Sequence, residues 1–130
     1  MSARKKVLIV DDSTAQLDAL VAAFEDAGYD VGTAHDGEEV FRKMATLDPD
    51  ALLLDVFMPK LNGAEVCRLV KAHPHWKKTW LVLMSARIAD KEVEQFHQLG
   101  ANEILRKPFD LAVALAAVAK GIGPGEPAGA

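Results

Sequence analysis

The sequence has one cysteine and no long hydrophobic run, and each shortage excludes a class of protein. Cys67 is the one cysteine among 130 residues, so no disulfide can form within the chain. No apolar run approaches the ~20 residues that cross a bilayer. The run from Val7 to Val10 is shorter than the apolar core of a secretory signal and is followed by two aspartates. We therefore expect an unexported, cytoplasmic protein that has no membrane partner.

The sequence also lacks an excess of positive charge. It has 15 lysines and arginines against 19 aspartates and glutamates, which gives a net charge of −4. A domain that binds nucleic acid usually carries a basic stripe, whereas the only basic cluster here, Arg4-Lys5-Lys6, leads directly into an apolar segment. The composition therefore argues against direct binding to nucleic acid.

The length and the composition of the C-terminus predict a simple domain organisation. A chain of 130 residues is most simply one domain. Residues 121–130 consist almost entirely of glycine, proline and alanine, a composition typical of flexible linkers and frayed ends. We expect one domain over residues 1–120 and a flexible tail over residues 121–130.

Short apolar segments alternate with amphipathic helical patterns along the chain. Parallel strands joined by helices show this alternation, which is typical of right-handed βαβ units. The pattern predicts an α/β fold with a doubly wound, five-stranded parallel sheet and helices on both faces. The predicted strands cover residues 5–10, 29–34, 52–55, 80–84 and 103–106.

Aspartates and glycines at the expected places mark the ends of several helices. Aspartate is a favourable N-cap, because its carboxylate accepts a hydrogen bond from a free N–H of the first turn. Glycine often ends a helix, because it adopts the left-handed conformation without strain. We predict N-caps at Asp36, Asp90 and Asp110, and helix ends at Gly28, Gly100 and Gly121.

Five polar residues stand at the carboxyl ends of four predicted strands. Parallel strands bring these ends to one edge of the sheet, where ligands bind in open α/β folds. Three carboxylates in one cleft raise each other's pKa unless a cation lies among them, and hard oxygen donors suit Mg²⁺ or Mn²⁺. The five residues are Asp11, Asp12, Asp55, Ser85 and Lys107.

Asp55 is the candidate nucleophile of this group, because it ends the buried central strand. Carboxylates act as covalent nucleophiles toward phosphoryl groups, and the transfer mainly needs positioning and neutralisation of the phosphoryl oxygens. Lys107 supplies a positive charge for that purpose, and Ser85 supplies a hydroxyl donor.

Four motifs together resemble the response-regulator receiver domain of two-component phosphorelay signalling. They span residues 5 to 120, and they are Val10-Asp11-Asp12-Ser13, Leu54-Asp55-Val56-Phe57-Met58-Pro59 with Asn62-Gly63, Met84-Ser85-Ala86, and Lys107-Pro108-Phe109. The resemblance implies a flavodoxin-like sheet with strand order 2-1-3-4-5 and Asp55 as the phosphoacceptor. It implies that Asp11, Asp12, Asp55 and the backbone carbonyl of Phe57 bind the metal, and that Ser85 and Lys107 contact the phosphoryl group.

The resemblance also assigns expectations to four further positions. It implies a cis peptide between Lys107 and Pro108. Ile104 stands at the switch position, where many members of the family have tyrosine or phenylalanine, so we expect coupling to the output surface to be weaker here or to run through loops instead. Phe57 and Arg87 stand at positions that influence the access of water, and they are expected to tune the lifetime of the phosphoryl group.

The function implied by the resemblance is a switch controlled by phosphorylation. A histidine kinase or a histidine phosphotransfer protein would donate the phosphoryl group to Asp55, and the altered surface would bind a protein target. On this interpretation the chain is no enzyme beyond its own phosphorylation and dephosphorylation.

Three alternatives to this switch remain at lower rank. One is a receiver-fold interaction module that works without phosphorylation. Another is a magnesium-dependent phosphatase of the haloacid-dehalogenase type, which needs an Asp-x-Asp motif after the first strand, where this chain has Asp11-Asp12. The third is a nucleotide or flavin binder, which would need a glycine-rich loop there.

The last predicted helix has no charged or polar residue between Leu111 and Ala119. A helix that lies on a sheet normally has a polar outer face. The high helix propensity of alanine explains this composition without any further role, and we favour that explanation. The alternative is that Val113 and its neighbours form a docking or dimer patch.

Overall fold

The computed structural model describes residues 4–58 and 61–126, with Leu61 described by its backbone alone. Pro59, the last residue of one sequence motif, lies outside the described residues. Residues 127–130 of the predicted tail also lie outside them.

The main sheet has five parallel strands, and its order confirms the predicted 2-1-3-4-5 topology. The central strand carries the three consecutive leucines, and every one of its residues is buried. A run of apolar residues forms such a strand because helices cover both faces of the sheet. The strands are β1 (Lys6–Val10), β2 (Asp30–Ala34), β3 (Ala51–Asp55), β4 (Trp80–Ser85) and β5 (Glu103–Arg106).

Five helices cover the two faces of this sheet and enclose two separate apolar clusters. α1 and α5 pack on one face, and α2 and α3 pack on the other. The helices are α1 (Thr14–Asp26), α2 (Gly37–Leu47), α3 (Gly63–Ala72), α4 (Asp90–Gln98) and α5 (Leu111–Ile122). No helix in the described part of the chain has the length and apolarity needed to cross a membrane.

The ends of the helices confirm some predicted caps and correct others. The Asp36 carboxylate accepts a hydrogen bond of 2.8 Å from the Glu39 N–H, as predicted. Asp90 does not cap α4: Ala89 holds that position, and its N–H donates to the Glu92 carboxylate. Asp110 holds the N-cap position of α5, but its side chain accepts no hydrogen bond there.

The predicted end of α5 at Gly121 is wrong by two residues, because the helix continues to Ile122 and ends at Gly123. Gly121 lies against the indole ring of Trp80, and a β-carbon at this position would lie 1.9 Å from a ring atom. The glycine is therefore needed for close packing inside the helix and does not terminate it.

The chain after α5 returns to the turn between α1 and β2, and we call residues 123–126 the C-terminal strap. The Tyr29 hydroxyl donates a hydrogen bond of 2.7 Å to the Gly123 carbonyl oxygen. The Glu126 N–H donates one of 3.0 Å to the carbonyl oxygen of Gly28. The strap thus differs from the flexible tail predicted from Gly121 onward.

A short antiparallel ribbon, absent from the prediction, follows the central strand. Phe57–Met58 pairs with Leu61–Asn62 immediately before α3. The ribbon places Asn62 as the N-cap of α3, where its side chain accepts a hydrogen bond from the Glu65 N–H.

Candidate functional site

The parallel winding brings the predicted polar residues to the carboxyl edge of the sheet. Asp11 directly follows β1, Asp55 ends β3, Ser85 ends β4 and Lys107 directly follows β5. The sheet register pairs Asp55 with Met84 and pairs Ser85 with Arg106. Residues far apart in sequence therefore share one cleft because each comes from a different strand end.

Lys107 is the cation at the centre of the site. Its Nζ lies 3.0 Å from Asp11 Oδ2 and 3.0 Å from Asp55 Oδ2. Both carboxylates are buried, and the Lys107 side chain is 17% exposed. The attraction between Lys107 and the two carboxylates offsets part of the free-energy cost of burying these charges away from water.

The backbone holds the other oxygen of each buried carboxylate. The Ser13 N–H donates a hydrogen bond of 2.9 Å to Asp11 Oδ1. The Phe57 N–H donates one of 3.1 Å to Asp55 Oδ1. Each carboxylate is therefore held in one orientation by a backbone N–H and by the Lys107 ammonium.

The electrostatic environment of the site shifts the pKa of Asp55 and of Lys107. Burial raises the pKa of the Asp55 carboxyl above its usual value, although the hydrogen bond and the charge of Lys107 oppose this. Burial alone would lower the pKa of Lys107, but hydrogen bonds to Asp11 and Asp55 outweigh it and raise that pKa. One ammonium thus faces three carboxylates, and the site can accept a further cation.

Asp11, Asp12 and Asp55 have the arrangement that a small divalent cation needs. One oxygen from each lies within 4.8 Å of the others, and Asp12 is the exposed member. Oxygens bound to one Mg²⁺ at about 2.1 Å lie up to about 4.2 Å apart, so little movement would bring them onto one ion. Hard carboxylate donors and room for water fit Mg²⁺ or Mn²⁺ better than a softer metal.

Ser85 lies at the site, and its carbonyl oxygen accepts a hydrogen bond of 2.7 Å from the Lys107 N–H. Its hydroxyl, however, binds neither the Asp55 carboxylate nor the Lys107 ammonium. Its hydroxyl donates a hydrogen bond of 3.0 Å to the Arg87 carbonyl oxygen and accepts one of 3.1 Å from the Arg87 N–H. The hydroxyl is thus used within its own turn, and it must leave Arg87 before it can donate to a ligand beside Asp55.

The remaining predicted positions surround this cleft. Phe57 follows Asp55 by two residues, and its side chain is exposed, as is that of Arg87. Ile104 is partly buried and packs against the apolar cluster beneath α2 and α3. The peptide between Lys107 and Pro108 is cis.

Sequence reasoning missed the ion pair that crosses the loop after Ser85. An Arg106 guanidinium nitrogen lies 2.7 Å from Asp90 Oδ1 and links the end of β5 to the first turn of α4. No spacing rule predicts this pair, because it depends on how the loop folds. The backbone donors of Ser13 and Phe57 were also missed, since an N–H group leaves no signature in a sequence.

Comparison with known proteins identifies response regulators as the relatives of this chain. The family model described as the response regulator receiver domain matches residues 7–119. The alkaline phosphatase synthesis transcriptional regulatory protein PhoP of Bacillus subtilis is 38% identical over 107 residues, which are 81% of this chain and 43% of that protein. The response regulator MprA of Mycobacterium tuberculosis is 38% identical over 111 residues, which are 85% of this chain and 47% of that protein. This chain therefore spans less than half the length of these two relatives.

Solved structures have the same architecture as this chain. The chemotaxis protein CheY4 of Vibrio cholerae superposes with a TM-score of 0.86 at 30% sequence identity, covering 92% of this chain and 99% of that one. The strand order and the helices on both faces agree with a flavodoxin-like fold.

Proposed function

The chain belongs to the response regulator receiver domain family, and from that premise we propose that Asp55 accepts a phosphoryl group and switches the domain between two binding states. One observation carries the proposal. Asp55 ends the central strand with Lys107 Nζ at 3.0 Å and the carboxylates of Asp11 and Asp12 within 4.8 Å. This arrangement supplies a nucleophile, a fixed cation and a set of metal ligands.

In the proposed transfer, a carboxylate oxygen of Asp55 attacks the phosphorus of a phosphohistidine. A P–O bond forms while the P–N bond breaks, and the leaving imidazole keeps the electron pair and later takes up a proton. Lys107 balances the negative charge that arrives at the buried carboxylates. Asp11 and Asp55 stay oriented by the N–H groups of Ser13 and Phe57.

The metal ligands in this proposal are Asp11, Asp12, Asp55 and the backbone carbonyl of Phe57. A bound Mg²⁺ or Mn²⁺ would neutralise charge on the phosphoryl oxygens, as in other phosphoryl transfers. The acidic donor set and the exposed position of Asp12 support this assignment.

The switch proceeds through Ser85, whose hydroxyl leaves Arg87 and donates to the phosphoryl group beside Lys107. Ile104 packs on the apolar cluster near this loop and lacks an aromatic ring, so its part in the switch is a change of packing. Phe57 and Arg87 are exposed beside the cleft and tune the access of water, which sets the lifetime of the phosphoryl group.

The partners follow from this chemistry. In the cytoplasm, where we place this chain, a histidine kinase or histidine phosphotransfer protein donates the phosphoryl group, and a protein target binds the switched surface. The receiver domain comprises the predicted residues 1–120 together with the end of α5 at Ile122, and its only reactions are its own phosphorylation and dephosphorylation.

The test is the intact-protein mass after incubation with acetyl phosphate and Mg²⁺. We expect a gain of one phosphoryl group that disappears when the metal is chelated and in the Asp55→Asn variant. A folded wild type that binds Mg²⁺ but gains nothing would contradict the proposal and favour an interaction module that works without phosphorylation.

A further inference from the structure

An apolar groove lies between α1 and α5 at the end of the molecule opposite the candidate site. It has a volume of about 440 Å³, within the roughly 300–1,000 Å³ that ligand pockets have in proteins. Its lining is almost wholly apolar and comprises Ala27, Tyr29, Leu115, Ala116, Ala119 and Pro124, with Gly125 at one edge. No residue of the candidate site contributes to it.

The C-terminal strap forms one wall of this groove and is held in place on both sides of Pro124. Tyr29 binds the Gly123 carbonyl oxygen, and the Glu126 N–H binds Gly28. The strap lies so close to Gly28 that a side chain at this position would not fit, because a β-carbon on Gly28 would lie 2.1 Å from the Glu126 carbonyl carbon. Because these hydrogen bonds fix the strap, the groove is already open in the free protein. A partner that binds there does not have to order the strap first.

The floor of the groove continues along the outer face of α5. Ala112, Leu115, Ala116 and Ala119 stand at the spacing i, i+3, i+4 and i+7, which places them on one side of the helix. The small side chains allow the backbone of a second helix to approach closely. The one charged residue of α5, Lys120, is paired with Glu103 at 2.9 Å.

Acidic residues adjoin the lining of the groove along the chain. Glu25 and Asp26 are exposed in the last turn of α1, directly before Ala27. Glu126 is exposed directly after Gly125. An apolar groove with acidic residues next to its lining is complementary to a helix that has an apolar side and basic residues beside it, the pattern of helix-in-groove recognition.

We propose that this groove binds a basic amphipathic helix of a partner protein. A bulky apolar side chain of that helix lies between Tyr29 and Ala116, and flanking lysines or arginines face Glu25 and Asp26. The groove is separate from Asp55, so this binding does not depend on the proposed phosphorylation.

The experiment is a titration of the full-length, ¹⁵N-labelled chain with a synthetic amphipathic helical peptide of leucine and lysine, followed by amide chemical shifts. A peptide with glutamate in place of lysine is the matched control. We expect shifts that cluster at Ala27, Tyr29 and residues 115–119 with the lysine peptide and no shifts with the glutamate peptide. The Asp55→Asn variant should bind the lysine peptide as the wild type does.

The variant Ala116→Glu separates groove binding from general attraction between a basic peptide and an acidic protein. Added negative charge would strengthen a general attraction, whereas a carboxylate inside the groove must be buried against apolar groups. We expect binding weakened by about tenfold or more. Ala45→Glu, at an exposed position on α2, adds the same charge elsewhere and should leave the affinity unchanged or slightly raised.

Four results would overturn the proposal. They are no binding of the lysine peptide, shifts centred on the edge that carries Asp55, equal binding of both peptides, and equal affinities for the Ala116→Glu and Ala45→Glu variants. Shifts of the groove residues that depend on protein concentration without peptide would assign the groove to a second copy of the chain instead.

Discussion

Single residues at the site illustrate what can and cannot be predicted from a sequence. Asp11, Asp12, Asp55 and Lys107 were predicted together because each follows an apolar strand, and parallel strands end at one edge. The state of Ser85 was not predictable. Its hydroxyl binds Arg87 in a local turn, and the rotamer of a hydroxyl depends on loop geometry that the sequence pattern does not encode.

Asp55 should lower the stability of the metal-free protein at neutral pH. Its folded pKa is raised, chiefly by burial, so the folded state binds its proton more tightly than the unfolded state does. Stability from this group is present at low pH and is lost as the pH rises through the raised pKa. We therefore expect Asp55→Asn to melt a few degrees above the wild type at pH 7 in the presence of a chelator.

The pH dependence provides the check on this prediction. The difference in melting temperature between Asp55→Asn and the wild type should shrink as the pH falls, and it should be lost only below about 3.9, the usual pKa of an unfolded aspartate, where the group is neutral in both the folded and the unfolded chain. Calorimetry across this range measures it. A variant that melts below the wild type at pH 7 would show that the pairing with Lys107 outweighs the cost of burial.

The helices and strands followed the predicted pattern except at two helix ends, where a different contact replaced the expected signal. Alternating apolar segments were sufficient to predict five strands and five helices. The start of α4 was misassigned because Glu92 reaches back to the Ala89 N–H, so an alanine occupies the N-cap. The end of α5 was misassigned because Gly121 serves the packing of Trp80, a contact between segments about forty residues apart in the chain.

Two aspartates at helix N-caps should differ in their contribution to stability. Asp36 accepts a hydrogen bond of 2.8 Å from the first turn of α2, whereas the Asp110 side chain accepts none from α5. We expect Asp36→Ala to lower the free energy of unfolding by about 1 kcal/mol and Asp110→Ala to lower it by less than about 0.5 kcal/mol. Denaturant unfolding of the two variants measures this difference, and equal losses would contradict the assignment of the caps.

The whole molecule has two candidate functional ends. The carboxyl edge of the sheet carries the acidic cluster and Lys107, whereas the opposite end carries the strap and the apolar groove. The first end was predictable, because the alternation of elements predicts a parallel sheet and the resemblance to a known family supplies the strand order. The second end was not, because glycine, proline and alanine also compose flexible tails, and only the contacts of Tyr29 and Gly28 distinguish the strap.

The chain should be a monomer at micromolar concentration. Val113 and Leu111 are the large apolar residues exposed on α5 among the described residues, at 47% and 38%, and the other exposed residues of this helix are Ala112, Ala116, Lys120 and Gly121. A stable dimer buries roughly 1,200–2,000 Å², which these two side chains cannot supply alone. Sedimentation equilibrium should give the monomer mass for the wild type and for Val113→Glu. A dimer that Val113→Glu dissociates would show instead that α5 forms an interface.

The position of the two tryptophans determines what intrinsic fluorescence can report. Trp80 begins β4, and Trp76 stands just before it between His73 and Phe41, whereas Ser85 ends the same strand at the site. At about 3.3 Å per residue, that strand separates Trp80 from the site by roughly 16 Å. Tryptophan emission should therefore follow unfolding and the packing of α5, but it should stay constant when ions or phosphoryl donors bind at Asp55. A Phe57→Trp variant would place an emitting ring beside the acceptor and make those events visible.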